Sequence, residues 1–157
     1  MADGAAFPDL PQGRSPMHEG SRNPQPVPMA SPRLRYGRYS RSANVAVLVD
    51  TLRFIERSGF SRSLAWVVMP DHLHWLMELR KGTLAECMAL LKSRSSRLLN
   101  WQLGRKGALW QHGYHDHAVR TDESLHEKAM YILANPVRAG PAGELGKYPH
   151  AWCPWPL

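Results

Sequence analysis

Two histidines one residue apart, His72 and His74, are the residues whose types and spacing most directly suggest chemistry. They stand in Leu-Ala-Trp-Val-Val-Met-Pro-Asp-His-Leu-His-Trp-Leu-Met-Glu-Leu, residues 64 to 79. An apolar run ends at the turn signal Pro70-Asp71, and strict alternation follows. Side-chain direction in a strand repeats every two residues, so His72, His74, Leu76 and Glu78 share one face. Leu73, Trp75, Met77 and Leu79 share the other, which is suited to burial. His-x-His is the shortest strand spacing that aims two imidazoles at one point. It makes a divalent-metal half-site that needs at least one further ligand. On its own such a pair is more often a polar strand face than a ligand set, so the rest of the chain must decide its weight.

Other reactive residue types are spread along the chain. His112, His115, Asp116 and His117 crowd into residues 112 to 117 and suit ligation, acid–base work or phosphate contact, although singly each reads as an ordinary polar contact. Glu127, Tyr131 and Asn135 recur at spacings of four on one helix side. A tyrosine hydroxyl is a poor nucleophile at neutral pH unless something helps it ionise. On pattern alone Tyr131 reads as a half-buried packing residue. Arg33, Arg35, Arg38 and Arg41, interleaved with Tyr36 and Tyr39, suit backbone contact and base stacking on single-stranded nucleic acid; without a partner they are a solvated linker. Lys92, Arg94 and Arg97 lie on or beside the polar side of a helix, either a solvated face or part of a phosphate-binding stripe.

The elements that must position these residues follow from periodicity. Residues 1–32 are rich in Pro, Gly, Ser, Arg and Asn and read as a disordered tail; residues 33–43 read as a basic arm. Val45, Leu48, Val49, Leu52 and Ile55 predict a helix from Asn44 to Ser58, with Gly59 at its end. Leu64 to Met69 predicts an inner strand, turning at Pro70-Asp71 into the histidine strand as an antiparallel hairpin. Thr83 and Glu86 form a capping-box signature for a helix from Leu84 to about Leu103, burying Leu84, Met88, Leu91, Leu98 and Leu99. Residues 108 to 120 are strand-like. Asp122 is positioned to cap a helix that Asn135-Pro136 stops. The end of the chain reads as loop, with Tyr148, Trp152 and Trp155 packing as a lid.

Composition narrows the classes. The chain has 157 residues, 43% of them hydrophobic, enough for one domain with a moderate core. A formal net charge of +7 favours an anionic partner, nucleic acid first and an anionic membrane surface second. Two cysteines, Cys87 and Cys153, far apart and outside any Cys-x-x-Cys, point away from a disulfide framework and towards a reducing cytoplasm. Neither a membrane-length apolar run nor a signal-peptide core is visible, so a soluble cytoplasmic protein is expected.

Three ordered blocks carry a resemblance. Trp-Val-Val-Met-Pro-Asp-His-Leu-His-Trp is followed by Leu-Trp-Gln-His-Gly-Tyr-His-Asp-His-Ala-Val-Arg and then by Tyr-Ile-Leu-Ala-Asn-Pro-Val-Arg-Ala-Gly. Together, over about residues 62 to 150, they resemble the REP-associated tyrosine transposases, a bacterial branch of the single-tyrosine HUH transposases. The resemblance implies an α+β, ferredoxin-like antiparallel sheet for residues 44–157. It implies single-stranded DNA nicking and strand transfer at hairpin elements, through a 5′-phosphotyrosine on Tyr131. It also implies Mg²⁺ or Mn²⁺ on His72 and His74, with Asn135 where related enzymes place a polar third ligand. Monomer and homodimer stay open. The family's first β-strand, which lies centrally beside the histidine strand, has no counterpart between the basic arm and the helix at Asn44. The chain therefore reads as lacking it. Either Arg33 to Ser40 running extended or the segment near Trp110 to Val119 moved inward would have to pair with the histidine strand; Gly37 and the nearby arginines make a poor inner strand, so the second is favoured and three strands are expected. A catalytically impaired, hairpin-binding remnant follows as the alternative function. A metal-dependent hydrolase using His72, His74 and Asp116 is the third reading, disfavoured by the excess positive charge.

Overall fold

The computed structural model describes residues 27–35, 41–119 and 124–157. Its elements, in chain order, are β1 (Val27–Ser31), α1 (Ser42–Arg57), β2 (Ser61–Val68), β3 (Leu73–Leu79), α2 (Leu84–Leu103), β4 (His115–Val119), α3 (Leu125–Leu133), α4 (Asn135–Arg138) and β5 (Ala151–Trp152). The strands form one five-stranded sheet in the order β4-β1-β3-β2-β5, antiparallel at every pairing. The α+β antiparallel class expected from the sequence is the class observed.

The expected absence of the first strand is overturned. β1 inserts between β3 and β4, pairing Met29 with Leu76 and Ala30 with Trp75 on one side and running from Val27–Val119 to Ser31–His115 on the other. It comes from residues assigned to the tail, not from the arm, and β4 stays on the far side of it. The proline-rich surroundings hide the strand. A proline offers no N–H to a ladder and argues against a central strand. Pro28, however, is paired with Ala118 of β4, whereas the β3 register begins at Met29. After β1 the chain continues alongside β3: Leu73 N donates to Pro32 O at 3.1 Å and Leu34 N to Asp71 O at 2.9 Å. Arg33 bridges His72, and Leu34 bridges Trp110.

Both faces of the sheet are covered. One buries Leu73, Trp75, Met77 and Ala30 against Leu48, Leu52 and Ile55 of α1 and Met88, Leu91 and Leu99 of α2. The other packs Ala65, Val67 and Leu76 against Ala129, Ile132 and Leu133 of α3. A bulge between Ser63 and Ala65 leaves Leu64 as the extra residue, and Leu64 joins Ala65 in that second core.

The end signal of α1 and the start signal of α2 act as read. Gly59, at φ +81°, follows α1, with Phe60 N returning to Ile55 O at 3.2 Å. Thr83 and Glu86 form the reciprocal capping box of α2. Within α2, Leu84 and Leu98 are half-buried, and Cys87 and Ser95 take fully buried positions. Asp122 lies outside the described residues; Ser124 is the cap of α3, its side chain accepting from Glu127 N. Asn135-Pro136 ends α3 but starts another helical turn, α4, with Pro136 at its beginning. The end of the chain is not loop alone. β5 pairs Trp152 with Trp66 on the outer edge of β2, while Tyr148 Oη donates to Val68 O at 2.8 Å.

Candidate active site

The β2–β3 turn is closed by Met69 N donating to His72 O at 2.8 Å, which places Asp71 and His72 at the mouth of the hairpin. His72 precedes β3 and His74 lies within it. Their Nε2 atoms stand 3.0 Å apart and the rings are perpendicular, with centroids 4.7 Å apart. Each outer nitrogen has its own partner. His72 Nδ1 lies 2.6 Å from Asp71 Oδ1, and His74 Nδ1 lies 2.8 Å from Ser31 Oγ. A carboxylate only accepts, so His72 Nδ1 donates to it and the Nε2 of the neutral ring carries the lone pair. Ser31 can take the same part for His74. Burial lowers the His74 pKa to about 4, with help from the positive charges of His72, Arg33 and Arg138, so its ring is neutral at pH 7.

Two lone pairs aimed at each other across 3.0 Å repel unless a proton or a cation lies between them. Ligand bonds of about 2.1 Å meeting at a right angle would put the two nitrogens about 3.0 Å apart, so the pair fits one cis edge of an octahedral ion. Asp71 and Ser31 are the outer partners that fix the ring orientation in such sites. The Asp71 carboxyl is itself held below its ordinary value: burial opposes this, but the hydrogen bond and charge of His72 and the charge of Arg33 outweigh it. Arg33 Nη1 lies 3.3 Å from Asp71 Oδ2. Among the described residues no group of three or more His, Cys, Asp or Glu side chains converges.

Tyr131 lies on α3, which packs over the sheet face that carries Leu76 and therefore His74. It is 58% exposed, which excludes the reading of a tyrosine half-buried on the sheet. The Arg138 guanidinium lies 4.3 Å from its ring centroid and Lys128 Nζ 5.4 Å. Arg138 Nη2 also donates to Tyr131 O and to Asn135 Oδ1, both at 2.7 Å. Asn135 thus turns its amide oxygen to a guanidinium, and its Nδ2 is buried with no partner among the described residues. A cation on that oxygen would face the Arg138 charge, so Asn135 makes a poor third ligand as placed; it holds Arg138 in position.

The basic residues divide. Arg33 and Arg35 are exposed, Arg33 beside the histidines and Arg35 anchored through its backbone N–H to Leu109 O at 2.8 Å. Arg38 lies outside the described residues. Lys92 Nζ donates to Gln111 O at 2.9 Å and also to Gly113 O, holding a loop. Arg94 reaches Asp50 at 3.3 Å and lies over the Phe54 ring at 4.1 Å. Arg97 is exposed on α2. Sequence reasoning missed Ser31, Asp71 and Arg138 as supports of the site. Ser31 lay in a supposed tail, but Asp71 adjoins the histidines and Arg138 follows Asn135 by three, one helical turn.

The sheet is thus backed by helices on both faces, with paired imidazoles at a hairpin mouth and an exposed tyrosine on a covering helix. The family model for IS200-like transposases matches residues 44–135, and the chain belongs to that family. It is 30% identical over 100 residues to a protein of Haemophilus influenzae assigned as a REP-associated tyrosine transposase, covering 57% of each chain. It is 27% identical over 85 residues to the REP-associated tyrosine transposase of Escherichia coli K12, covering 54% of this chain and 50% of that one. The chain thus spans about half the length of these curated relatives. The structure of a REP-associated tyrosine transposase bound to a REP hairpin superposes with a TM-score of 0.67 at 23% identity, over 81% of this chain and 76% of that one. At that identity the likeness establishes the fold.

Proposed function

We propose that this protein nicks single-stranded DNA beside hairpin elements and rejoins it, using Tyr131 as nucleophile and a divalent ion, Mg²⁺ or Mn²⁺, on His72 and His74. The observation that carries this reading is the convergence of the two Nε2 atoms at 3.0 Å, each ring braced from behind by Asp71 or Ser31. DNA as the substrate is supported by the family, by the hairpin bound to the structural neighbour and by the net charge of +7.

The ion, when bound, would neutralise charge on a non-bridging phosphate oxygen as the pentacovalent centre forms. The chain's own residues supply the rest. Asp71 and Ser31 orient the imidazoles, and Arg33 adds a positive charge at the hairpin mouth. Tyr131 Oη forms a bond to phosphorus while the bond from phosphorus to the 3′-oxygen breaks. The phenol loses its proton and the 3′-oxygen gains one, leaving a 5′-phosphotyrosine and a 3′-hydroxyl. Arg138 and Lys128 place positive charge beside the ring as that proton leaves. The phosphoester energy is kept for rejoining, and no water need be activated. The impaired-remnant alternative loses its physical ground, because the strand whose loss motivated it is present.

The test is covalent trapping. Labelled hairpin DNA with a single-stranded flank, incubated with Mn²⁺, should become attached to the wild-type protein and not to Tyr131→Phe. Replacing His72 and His74 together by Ala should abolish both the adduct and Mn²⁺ binding while leaving DNA affinity little changed. An adduct on the Tyr131→Phe protein, or Mn²⁺ bound as tightly by the double variant, would overturn the reading.

A further inference from the structure

At the edge of the sheet farthest from β4, α1 stands beside β2 and β5 and leaves a cavity of about 170 Å³ lined by Leu52, Arg53, Glu56, Ser63, Trp66 and Trp152. None of the residues placed at the histidine site lines it. The cavity lies on the other face of the sheet: Trp66 packs with the core beneath α1 and α2, whereas His74 shares its face with Leu76 under α3.

Its walls are built from the fold. Trp66 and Trp152 are cross-strand partners, with rings 21° from parallel and centroids 6.5 Å apart, so together they present one aromatic wall. The short β5 that supplies Trp152 is held at both ends. Before it, Val68 N donates to His150 O and Tyr148 Oη donates to Val68 O, each at 2.8 Å. After it, Trp155 packs edge-on against His126 of α3, with centroids 5.7 Å apart. Leu52 and Ser63 are both buried beneath the cavity. Ser63 Oγ accepts from Trp75 Nε1 at 3.1 Å and keeps its own proton to donate.

The rim carries two uncommitted charges. Arg53 and Glu56 lie three residues apart on α1, a spacing at which opposite charges commonly pair. Neither side chain has an ion-pair partner among the described residues, although the neighbouring Arg57, Arg62, Arg80 and Arg94 are all paired with Asp50 or Glu78. An anion in the cavity would meet Glu56, and a cation would meet Arg53. A neutral flat ring with acceptors along one edge and donors along the next satisfies both. Guanine has that row: N7 and O6 accept, while N1–H and the 2-amino group donate. Adenine would turn its 6-amino donor to Arg53 and an acceptor nitrogen to Glu56. The volume is well below the roughly 300 Å³ at which pockets for whole small molecules begin, so a base fits and its sugar and phosphate stay outside.

We propose that this cavity is a second, non-catalytic site that takes one guanine base. The base stacks on the Trp66–Trp152 wall, Glu56 accepts from N1–H and the 2-amino group, and Arg53 donates to O6 and N7. The base comes either as a free mononucleotide or within a single strand.

Calorimetry on the full chain, in chelator, tests the site with GMP, IMP and AMP. GMP should bind roughly ten-fold more tightly than AMP, the order of one bidentate base contact. IMP, which lacks the 2-amino group, should fall between them. Trp152→Leu should remove most of the affinity, as loss of a stacking ring does. Glu56→Ala, on the exposed side of α1, should remove the preference for GMP with an unchanged urea midpoint. A single-stranded oligonucleotide with one guanine that displaces GMP assigns the base to a strand; GMP bound without such displacement assigns it to the free nucleotide. Replacing His72 and His74 together by Ala should leave GMP binding unchanged, so failure of the nicking reading would not touch this site. Equal affinity for GMP and AMP, no binding of GMP or of the guanine strand, or a preference that survives in both Trp152→Leu and Glu56→Ala would overturn the proposal. So would loss of GMP binding in the histidine double variant, which would move the ligand to the other face of the sheet.

Discussion

Among the described residues His74 carries a sharp electrostatic constraint. Its pKa in the folded chain is about 4 because burial, and then the charges of His72, Arg33 and Arg138, oppose protonation. In the unfolded chain it titrates near its ordinary value of about 6.5. As the pH falls, the unfolded state therefore takes up the proton first. The stability that His74 contributes is intact above about pH 6.5 and drains away between there and about pH 4, by on the order of 3 kcal/mol. Urea midpoints at pH 7 and pH 4.5, measured in chelator, should fall further for the wild type than for His74→Gln. Equal losses would show that the ring is not held neutral by its surroundings. The same neutrality is what a metal ligand needs, so proton competition at His74 should weaken ion affinity only as the pH approaches about 4.

Among the elements, β1 decides whether the site exists. Ser31, its last residue, orients His74, and Pro32 just beyond it accepts from Leu73 N at the start of β3. Without the strand, β3 would expose a row of buried backbone groups, each costing on the order of 1–3 kcal/mol when left unpaired. Ala30 marks how deep the strand lies, fully buried at 0% exposure beside Trp75. Ala30→Asp would place an unpaired charge in that core. It should cost several kcal/mol in urea or thermal unfolding. A variant as stable as the wild type would show that these residues are not a central strand.

For the whole molecule, the distribution of charge matters more than its total. Lys92 and Arg94, both basic in the sequence, are committed to internal contacts: the loop carbonyls for Lys92 and Asp50 with Phe54 for Arg94. Arg33, Arg35 and Arg97 are exposed. DNA affinity should fall steeply with salt, and each phosphate contact on a single strand adds roughly 0.7 to the log–log slope. Arg97→Ala should lower that slope by about one such step with stability unchanged, whereas Arg94→Ala should lower stability and leave the slope alone. The reverse pattern in a salt titration would reassign the two arginines. No described helix is long and apolar enough to cross a membrane.

Local patterns were legible wherever a short stretch dictates its own geometry. The alternation after Pro70-Asp71 placed His74 and the core residues Leu73, Trp75 and Met77 on opposite faces. The Thr83–Glu86 pair started α2, and the blocks ending in Asn-Pro-Val-Arg pointed to the family and to Tyr131. Three things depended on contacts between distant segments. Val27–Ser31 is a strand because β3 and β4 offer ladders on both sides, a stabilisation that Pro28 and the prolines flanking the strand conceal. Lys92 is a brace because a loop 19 to 21 residues later presents two carbonyls to it. Asn135 is turned to Arg138 because α4 continues the chain as a helix where proline signalled only a stop. Periodicity reports which way a side chain points; whether another segment meets it there is a property of the folded chain alone.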